Sequence, residues 1–417
     1  MKTQEDPGIC DVDAPEDVLG LDRRPRRLVP AGAEDLAVAL REAQDAGLAV
    51  VPWGGGTEQR LGSPPTRCDL VVETTKLSGI VAYAPEDLTV SVRAGTTLEE
   101  VQAALAPHGQ FLPFDLPHPR RATLGGVLAA NSPPIRRYRY GASRDLVIGL
   151  EVALPSGEIC KSGGRVVKNV AGYDLCKLWV GSLGTLGVIV SANLRVHPLC
   201  RVRTAVVGTF SDARTCIAVG LALAGQSHAW SALIAEGPVE PSLVVIVEGF
   251  TAAVRSAMSA AHATIAASQG RARSIDDPTE VDELLGRLTE WRILPQPSMA
   301  LLRIGVAPGR LAGAVEALAA AGEDHGLTMA WQADTGVGTI LARIGGDQPA
   351  LRAAIGAARA ALRPLSGHLV VADGPVSLRR SVDAWAGAPG GAGLARAIKA
   401  KMDPHATLNP GRFCYGL

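Results

Sequence analysis

The sequence predicts an α+β protein made of two structural parts, with a C-terminal segment that returns to the first part. Up to about residue 200, short apolar runs separated by glycine-bearing turns predict strands with a few helices between them. Beyond residue 200, strand-like runs alternate with Ala-rich helical stretches, which predicts an antiparallel sheet faced by helices. We expect an N-terminal tail at 1–19, a first domain at 20–200, a second at 201–386 and a C-terminal segment at 387–417.

The first domain is expected to begin with a helix followed by a strand. Residues 33–47 place apolar side chains at helical spacing and end at Gly47, which is a favourable residue just after a helix. Strands are predicted over 48–52, over 88–95, and on both sides of a turn at 155–157.

The second domain has a repeated order of elements. Six segments read in order as strand, helix, strand, strand, helix and strand, namely 298–306, 310–322, 327–333, 338–346, 349–365 and 367–374. This is the order of a ferredoxin-like unit, and a similar but incomplete order precedes it over 205–268. We therefore expect one sheet built from two related halves, with the polar stretch 275–291 between them as a surface helix or loop.

Composition excludes several classes of protein. The 417 residues carry 41 basic and 41 acidic side chains, a balance that argues against nucleic acid as a partner. No apolar run approaches the roughly 20 residues that span a bilayer, so membrane contact is expected to be peripheral or through a partner. The polar, acidic N-terminus does not resemble an export signal.

Cysteine usage points to a reducing compartment. The seven cysteines are scattered and include no C-x-x-C pair, which fits a cytoplasmic protein without a structural zinc or iron–sulfur site. We therefore expect a cytoplasmic location, or a peripheral one at the inner face of the cell membrane.

The stretch VVPWGGGTEQRLG (50–62) places three glycines directly behind a predicted strand. Because glycine has no Cβ, the backbone amides of such a turn can approach and hold an anion without a lysine. The alternative is a tight turn between two strands. The glycines at 181, 184 and 187 lack the spacing of a dinucleotide fingerprint, and no triphosphate-binding loop is present.

Three further glycine-bearing segments follow, RRATLGGVLAANS (120–132), RYGASRD (139–145) and GYDLCKLWVGSLGTLGVI (172–189). In this order, and together with LNPGR (408–412), they resemble the FAD-binding domain of the vanillyl-alcohol-oxidase (PCMH-type) flavoprotein family. The resemblance implies a two-part FAD-binding domain beneath a cap domain, which is the predicted antiparallel sheet faced by helices. Within that family the chain resembles the FAD-binding E subunit of glycolate oxidase.

The resemblance carries FAD-binding roles to specific positions of this chain. The residues concerned are Pro52, Trp53, Gly54, Gly55, Gly56, Thr57, Ala122, Thr123, Leu124, Gly125, Gly126, Asn131, Arg139, Tyr140, Gly141, Thr185, Gly187, Val188, Ile189 and Asn409. Structural support is the expected role of Asn169, Gly172, Tyr173 and Asp174. The FAD is expected to be non-covalent, because the loop GGGT carries no attaching histidine and the nearest one is His108.

The cap departs from the sequence pattern of the catalytic hydroxyacid dehydrogenases that this chain resembles. Those enzymes carry a histidine-rich, metal-binding H-x-G-D-G-N-x-H segment, whereas the corresponding stretch 332–344 has no histidine. His325, His368 and His405 stand apart in sequence and are expected to be solvated or to pack, so no metal site is predicted and no catalytic residue is assigned. The resemblance therefore implies a sister flavoprotein subunit and an iron–sulfur subunit as partners in oxidising a small 2-hydroxy acid.

Two alternatives stay open from the sequence. The chain could be a structural or regulatory subunit with a vestigial flavin site, in which the glycines preserve only the fold. It could also be an autonomous FAD-dependent D-2-hydroxyacid dehydrogenase, with Arg303 or Arg412 holding the substrate carboxylate.

Overall fold

The structure is a computed structural model that describes residues 15–165, 173–387 and 390–417. In the first part of the chain, the strands are β1 (Arg26–Leu28), β2 (Val50–Trp53), β3 (Leu70–Glu73), β4 (Ile80–Ala84), β5 (Thr89–Arg93), β6 (Gln110–Phe111), β7 (Val147–Ala153), β8 (Ile159–Gly163), β9 (Val188–Arg195) and β10 (His197–Pro198). The helices of this part are α1 (Pro15–Leu19), α2 (Ala33–Asp45), α3 (Leu98–Leu105), α4 (Leu124–Ala130), α5 (Arg137–Tyr140), α6 (Ser143–Leu146) and α7 (Cys176–Trp179).

Two larger sheets and a two-stranded one, in which β6 pairs with β10, form the described residues of the first part. A parallel sheet has the strand order β1-β3-β2, and an antiparallel sheet has the order β4-β5-β9-β7-β8. Helix α2 buries Leu36 and Leu40 against Val50 and Val72 of the parallel sheet, and the chain leaves this helix through Gly47 at a φ of +63°. Residues with a Cβ rarely adopt that φ, which explains the glycine at this position.

The second part contains the remaining strands, β11 (Val202–Thr209), β12 (Trp230–Gly237), β13 (Ser242–Gly249), β14 (Arg271–Ile275), β15 (Met299–Gly305), β16 (Thr328–Asp334), β17 (Thr339–Gly345) and β18 (His368–Asp373). Its helices are α8 (Ala213–Ala224), α9 (Thr251–Ala267), α10 (Pro278–Glu290), α11 (Leu311–Glu323), α12 (Gln348–Leu362) and α13 (Val376–Ser381). We call this part the cap.

The cap sheet is built from two halves with the same topology. Its eight strands in the described part of the chain run in the order β14-β11-β13-β12-β16-β17-β15-β18. Each half therefore has its own four strands in the order fourth, first, third, second, and the halves join where β12 pairs antiparallel with β16. The first half, expected to be incomplete, is complete. Its missing strand is the short β14, whose residues alternate without a strong apolar signal.

The two faces of the cap sheet are covered differently. Leu233, Val245 and Val247 belong to the core beneath α8, α9, α11 and α12. Their neighbours Ile234 and Ile246 point the other way and pack with α10 and with the first part of the chain. The polar stretch 275–291 is thus mostly a helix with a buried apolar stripe.

The C-terminal segment returns to the first part through the helix α14 (Ala392–Met402). The Val50 amide donates to the Thr407 carbonyl at 2.7 Å, and the Asn409 amide donates to the Val50 carbonyl at 2.9 Å. This pairing places the end of the chain beside β2. The exact domain boundaries stay predictions, and most of the expected tail lies outside the described residues.

A buried ion-pair network joins the cap to the first part. Arg136, 5% exposed, forms a bidentate pair with Asp115 at 2.7 and 2.8 Å and a third bond to Glu248 of β13 at 2.8 Å. Glu248 also accepts hydrogen bonds from Tyr140 at 2.9 Å and from Ser231 at 2.6 Å. Burial opposes the charge of Arg136, but Asp115 and Glu248 outweigh it and raise the pKa of the guanidinium.

None of the helices in the described ranges is both long and apolar enough to cross a membrane.

Substituting Arg136→Met should lower the free energy of unfolding by about 3–5 kcal/mol, because it leaves the buried Glu248 carboxylate without its cation. A matched control is Arg214→Met, which removes the pair between Arg214 and Glu316, whose side chains are 67% and 50% exposed. That change should cost less than about 1 kcal/mol. Urea denaturation of both variants measures the difference, and equal losses would contradict the assigned role.

Candidate functional site

A cleft in the first part collects most of the residues that the sequence assigns to FAD. It has a volume of about 710 Å³ including its opening and lies between the loop after β2, the start of α4, the 182–189 loop and the C-terminal segment. The lining residues that were predicted are Pro52, Trp53, Gly54, Gly55, Gly56, Thr57, Thr123, Gly125, Gly126, Gly187, Val188, Ile189 and Asn409.

Several residues line the cleft that sequence analysis did not assign to it. They are Glu58, Gln59, Thr74, Ala129, Ala130, Ser182, Leu183, Gly184 and Arg412. Most of these residues lie within three positions of a predicted residue in the sequence, so extending each motif by three residues would have included them. Thr74 is the exception, because only the pairing of β3 with β2 brings it to the loop.

The glycines of the first loop are needed because two backbones meet there. A Cβ on Gly54 would lie 2.2 Å from Thr123 Oγ1, and a Cβ on Gly55 would lie 1.6 Å from the Arg121 carbonyl oxygen. Gly56 has a φ of +76°, where a side chain would be strained. The loop therefore packs directly on the turn before α4, and a substitution such as Gly55→Asp would change this packing as well as the charge.

Two buried side-chain oxygen atoms on the cleft walls have no hydrogen-bond partner among the described residues. They are Thr123 Oγ1 and Asn409 Oδ1. Asn409 is held with its Nδ2 donating to the Leu183 carbonyl at 2.6 Å, which leaves Oδ1 as a free acceptor. Burying a polar atom without a hydrogen bond is costly, so both atoms indicate a ligand with donors and acceptors of its own. This pattern fits FAD.

Arg412 adds a buried positive charge to the cleft. The residue is 2% exposed. Its guanidinium donates to the side-chain oxygen and to the backbone carbonyl of Gln59. The side-chain amide of Gln59 donates in turn to the Pro52 carbonyl at 2.9 Å. Burial, with repulsion from Arg379, lowers the pKa of Arg412 to about 9. No carboxylate pairs with Arg412 within the described ranges, so an anionic ligand would supply its counter-charge.

Lys399 fastens the C-terminal segment to the cleft. Its ammonium is buried and donates to the Thr185 carbonyl at 2.7 Å, to Asp403 at 2.6 Å and to the Leu408 carbonyl at 2.9 Å. Asp403 accepts the backbone N–H of Leu408 in turn, at 2.8 Å. These bonds fix Asn409, the next residue, against the cleft wall.

Seven of the predicted residues lie away from this lining. Ala122, Leu124 and Thr185 are buried behind it, and Asn131 ends α4 at a φ of +47° and borders a neighbouring cavity. Arg139 and Tyr140 instead bond to Glu248 of the cap, and Gly141 turns the chain beside Asp145.

The expected supporting residues are only partly described. Tyr173 is 94% exposed and Asp174 pairs with Lys177 at 3.3 Å. Asn169 and Gly172 lie outside the described residues.

A second cavity lies between the first part and the cap, with a volume of about 1680 Å³ including its opening. It adjoins the first cleft through Gly56, Thr57 and Glu58, which line both. Four arginines line it, Arg60 and Arg121 from the first part and Arg292 and Arg303 from the cap. The carboxylates on its walls are Glu58 and Asp373. The cavity therefore has a positive character suited to an organic anion.

A carboxyl group that titrates near neutral pH lies next to this cavity. Asp334, at the end of β16, shares a smaller cavity with Arg137 and Arg292. Burial raises the pKa of Asp334 to about 7, against the lowering effect of Arg137 and of the Gly336 amide. Sequence analysis assigned this residue no role, because its burial depends on the tertiary structure. Such a carboxyl can exchange a proton with a hydroxyl group.

The histidines of the cap and the C-terminal segment do not gather. His368 borders the cavity that Arg303 and Asn131 also line, while His405 is exposed beyond α14. Residues 15–165, 173–387 and 390–417 contain no group of three or more His, Cys, Asp or Glu side chains that could hold a metal ion.

Comparison with known proteins assigns FAD binding to a segment that contains the glycine loop and the start of α4 but not the 182–189 loop or the C-terminal segment. Residues 26–163 match the family model described as an FAD binding domain. The chain is 36% identical to glycolate oxidase subunit GlcD of Bacillus subtilis over 171 residues, 41% of this chain and 36% of that protein. It is 41% identical to glycolate oxidase subunit GlcE of Escherichia coli over 150 residues, 36% of this chain and 42% of that protein.

A third relative extends the match further. The D-lactate dehydrogenase of Archaeoglobus fulgidus is 34% identical over 225 residues, which is 50% of this chain and 50% of that protein. The chain thus spans half or less of the length of these curated relatives.

Solved structures share the fold over more than nine-tenths of the chain. The chain superposes on p-cresol methylhydroxylase with a TM-score of 0.77 at 14% identity, over 93% of this chain and 88% of that one. For alkyldihydroxyacetonephosphate synthase the TM-score is 0.71 at 15% identity, over 92% and 75%. The protein therefore has the α+β, PCMH-type FAD-binding fold that its sequence predicts, and residues 26–163 carry its FAD binding domain.

Proposed function

We propose that the chain binds FAD non-covalently in the first cleft and serves as the FAD-binding E subunit of a glycolate oxidase complex. The observation that carries the FAD site is the pair of buried, unpartnered atoms Thr123 Oγ1 and Asn409 Oδ1 beside the glycine loop. The relatives named for glycolate and D-lactate support a small 2-hydroxy acid as the substrate of the complex.

The chain's own residues have distinct tasks in this proposal. The amides of residues 54–57 and the charge of Arg412 hold the diphosphate, while Thr123 and Asn409 bond to polar atoms of the cofactor. The Lys399 bonds and the packing of Gly55 on Arg121 keep these groups in place. FAD, when bound, supplies a two-electron acceptor that can release electrons singly.

The proposed partners follow from what the described part of the cap contains. The stretch 332–344 contains the end of β16, at Asp334, and has no histidine. The metal-assisted removal of the substrate's hydroxyl proton is therefore assigned to a sister flavoprotein subunit. Electrons that leave the flavin singly need a relay, and the relay proposed is an iron–sulfur subunit. The proposed location is the cytoplasm or the inner face of the cell membrane.

One observation favours a second function, an autonomous D-2-hydroxyacid dehydrogenase. Asp334, whose pKa burial raises to about 7, shares a cavity with Arg137 and Arg292, which would hold the substrate carboxylate in place of the arginines named from the sequence. In that case Asp334 would take the proton of the substrate hydroxyl group. A vestigial flavin site is the remaining alternative, and flavin content tests it directly.

Denaturation should release intact FAD from the purified chain, because no histidine stands in the glycine loop to attach it. The measurement is the flavin absorbance of the supernatant after acid precipitation, with a covalent flavoprotein as the control. Yellow colour that stays with the precipitate would contradict non-covalent binding. A colourless protein that takes up no added FAD would favour the vestigial site.

The substitution Thr57→Asp should weaken FAD binding far more than Thr57→Asn, since the two side chains match in size and differ in charge. Two like unit charges about 4 Å apart cost about 4 kcal/mol at an effective dielectric of about 20, which is roughly a thousandfold in dissociation constant. Thr57 lines the cleft and is half-buried. Fluorescence titration with FAD measures both constants. Equal affinities would exclude this loop from the diphosphate site.

The chain alone, loaded with FAD, should oxidise glycolate or D-lactate slowly with a dye acceptor. General base catalysis typically contributes about 10²–10⁴-fold in rate, and the proposal assigns the metal-assisted chemistry to a partner. Co-expression with the sister flavoprotein and the iron–sulfur subunit should raise turnover per flavin by orders of magnitude. Comparable turnover in the two preparations would instead support the autonomous dehydrogenase, and loss of it in Asp334→Asn would identify the base.

A further inference from the structure

We propose that Gln59 is a positioning residue of the first cleft, which orients the guanidinium of Arg412 and, because it is neutral, leaves that charge available to an anionic group of FAD. Naming FAD as the ligand rests on the proposed function. The contact between Gln59 and Arg412 lies wholly within this chain.

The side chain of Gln59 joins two walls of the cleft. Its Oε1 accepts a hydrogen bond from Arg412 Nη1 on the C-terminal segment, and its Nε2 donates to the Pro52 carbonyl of β2 at 2.9 Å. Arg412 Nη2 also donates to the backbone carbonyl of Gln59. An amide suits this position because it accepts from one wall and donates to the other, which neither a carboxylate nor an ammonium group can do.

The position of the Arg412 guanidinium depends on Gln59. The backbone of Arg412 is held separately, since its carbonyl accepts from Trp385 Nε1 at 3.0 Å and its amide donates to the Asn409 carbonyl at 3.2 Å. The side-chain Nε of Arg412 is buried without a hydrogen-bond partner among the described residues. Both hydrogen bonds that the guanidinium makes within the described ranges are therefore to Gln59.

The positive charge of Arg412 meets no anion in its surroundings. The residue is 2% exposed and belongs to no ion pair among residues 15–165, 173–387 and 390–417. The nearby carboxylate of Glu58 accepts a hydrogen bond from Ser132 at 2.8 Å instead. Burial, followed by repulsion from Arg379, lowers the pKa of Arg412 to about 9. A buried charge without a partner destabilises a fold, so the flavin-free protein should gain stability from any anion placed beside Arg412.

The substitution Gln59→Glu supplies such an anion from within the chain. The two side chains match in size, and the new carboxylate pairs with Arg412 but loses the hydrogen bond to the Pro52 carbonyl. The ion pair should outweigh this loss, because an unpaired buried charge costs more than a neutral carbonyl without a donor. Flavin-free Gln59→Glu should therefore unfold at a higher urea concentration than the unsubstituted protein. It should also bind FAD about a hundredfold more weakly, since Arg412 is neutralised and the carboxylate repels the diphosphate.

The substitution Gln59→Met separates positioning from charge. Methionine has a similar size and removes both side-chain hydrogen bonds without adding a charge. Flavin-free Gln59→Met should unfold at a lower urea concentration, and its FAD affinity should fall about tenfold, because Arg412 keeps its charge but loses its orientation. A residue with a purely structural role would lower stability and FAD affinity together in both variants.

Urea denaturation of the flavin-free full chain and fluorescence titration with FAD measure the two quantities. The matched control is Gln102→Glu. Gln102 is half-buried like Gln59, and within the described ranges it bonds only to the backbone of Leu112, to whose carbonyl it donates and from whose amide it accepts at 3.1 Å. Because no cation bonds to Gln102 there, the new carboxylate should lower stability and leave FAD affinity unchanged.

A double substitution gives a check that does not depend on FAD. In an Arg412→Met background, Gln59→Glu adds a carboxylate without a cation beside it. Its effect on the stability of the flavin-free protein should therefore reverse, from stabilising to destabilising.

A Gln59→Glu variant that is destabilised both with and without Arg412 would overturn the proposal, as would unchanged FAD affinity in Gln59→Glu. If the unsubstituted chain takes up no FAD, the proposed function fails, and titration with inorganic pyrophosphate then tests Gln59 by itself. Pyrophosphate binding that is lost in Gln59→Glu would support the positioning role, and a chain that binds no pyrophosphate would overturn it.

Discussion

Arg136 lies between a carboxylate of the first part of the chain and one of the cap, and the position of the cap over the first part depends on this contact. Three of its N–H donors bond to these carboxylates, two to Asp115 on one side and one to Glu248 on the other, in a region where all three side chains are largely removed from water. A lysine could not make the same bidentate contact. The network thus joins β13 of the cap to the first part of the chain, and the second cavity lies between these two parts.

The first cleft depends on close approach of backbones more than on side chains. Gly54 and Gly55 let the loop after β2 lie directly on the turn at Arg121, and the C-terminal segment closes the remaining side through Lys399 and Asn409. Every wall of the cleft is thus fixed by hydrogen bonds or tight packing before any ligand binds. Preformed walls lower the entropy lost on binding a cofactor, which favours tight binding.

Charge is distributed unevenly in a chain whose overall charge is zero. Acidic and basic residues number 41 each, yet arginines concentrate where the first part meets the cap. Arg412 faces the first cleft and Arg292 and Arg303 face the second, and none of the three has a carboxylate partner among the described residues. Burying a cation lowers the free energy of unfolding unless an anion pairs with it. The two cavities therefore both contain arginine charge, and they adjoin at residues 56–58, where Glu58 contributes a carboxylate.

The sequence by itself determined the α+β class and most of the order of strands and helices in the cap, because periodicity is a local property of the chain. The family resemblance named most of the residues that line the first cleft. Sequence analysis missed β14, which is held by pairing with β11 rather than by its own pattern. It also placed Arg139 and Tyr140 at the cofactor, whereas they bond to Glu248, more than a hundred residues away. Only the tertiary structure decided the pKa of Asp334 and the gathering of Arg121, Arg292 and Arg303, since burial and electrostatic interaction depend on distances between segments that are remote in sequence.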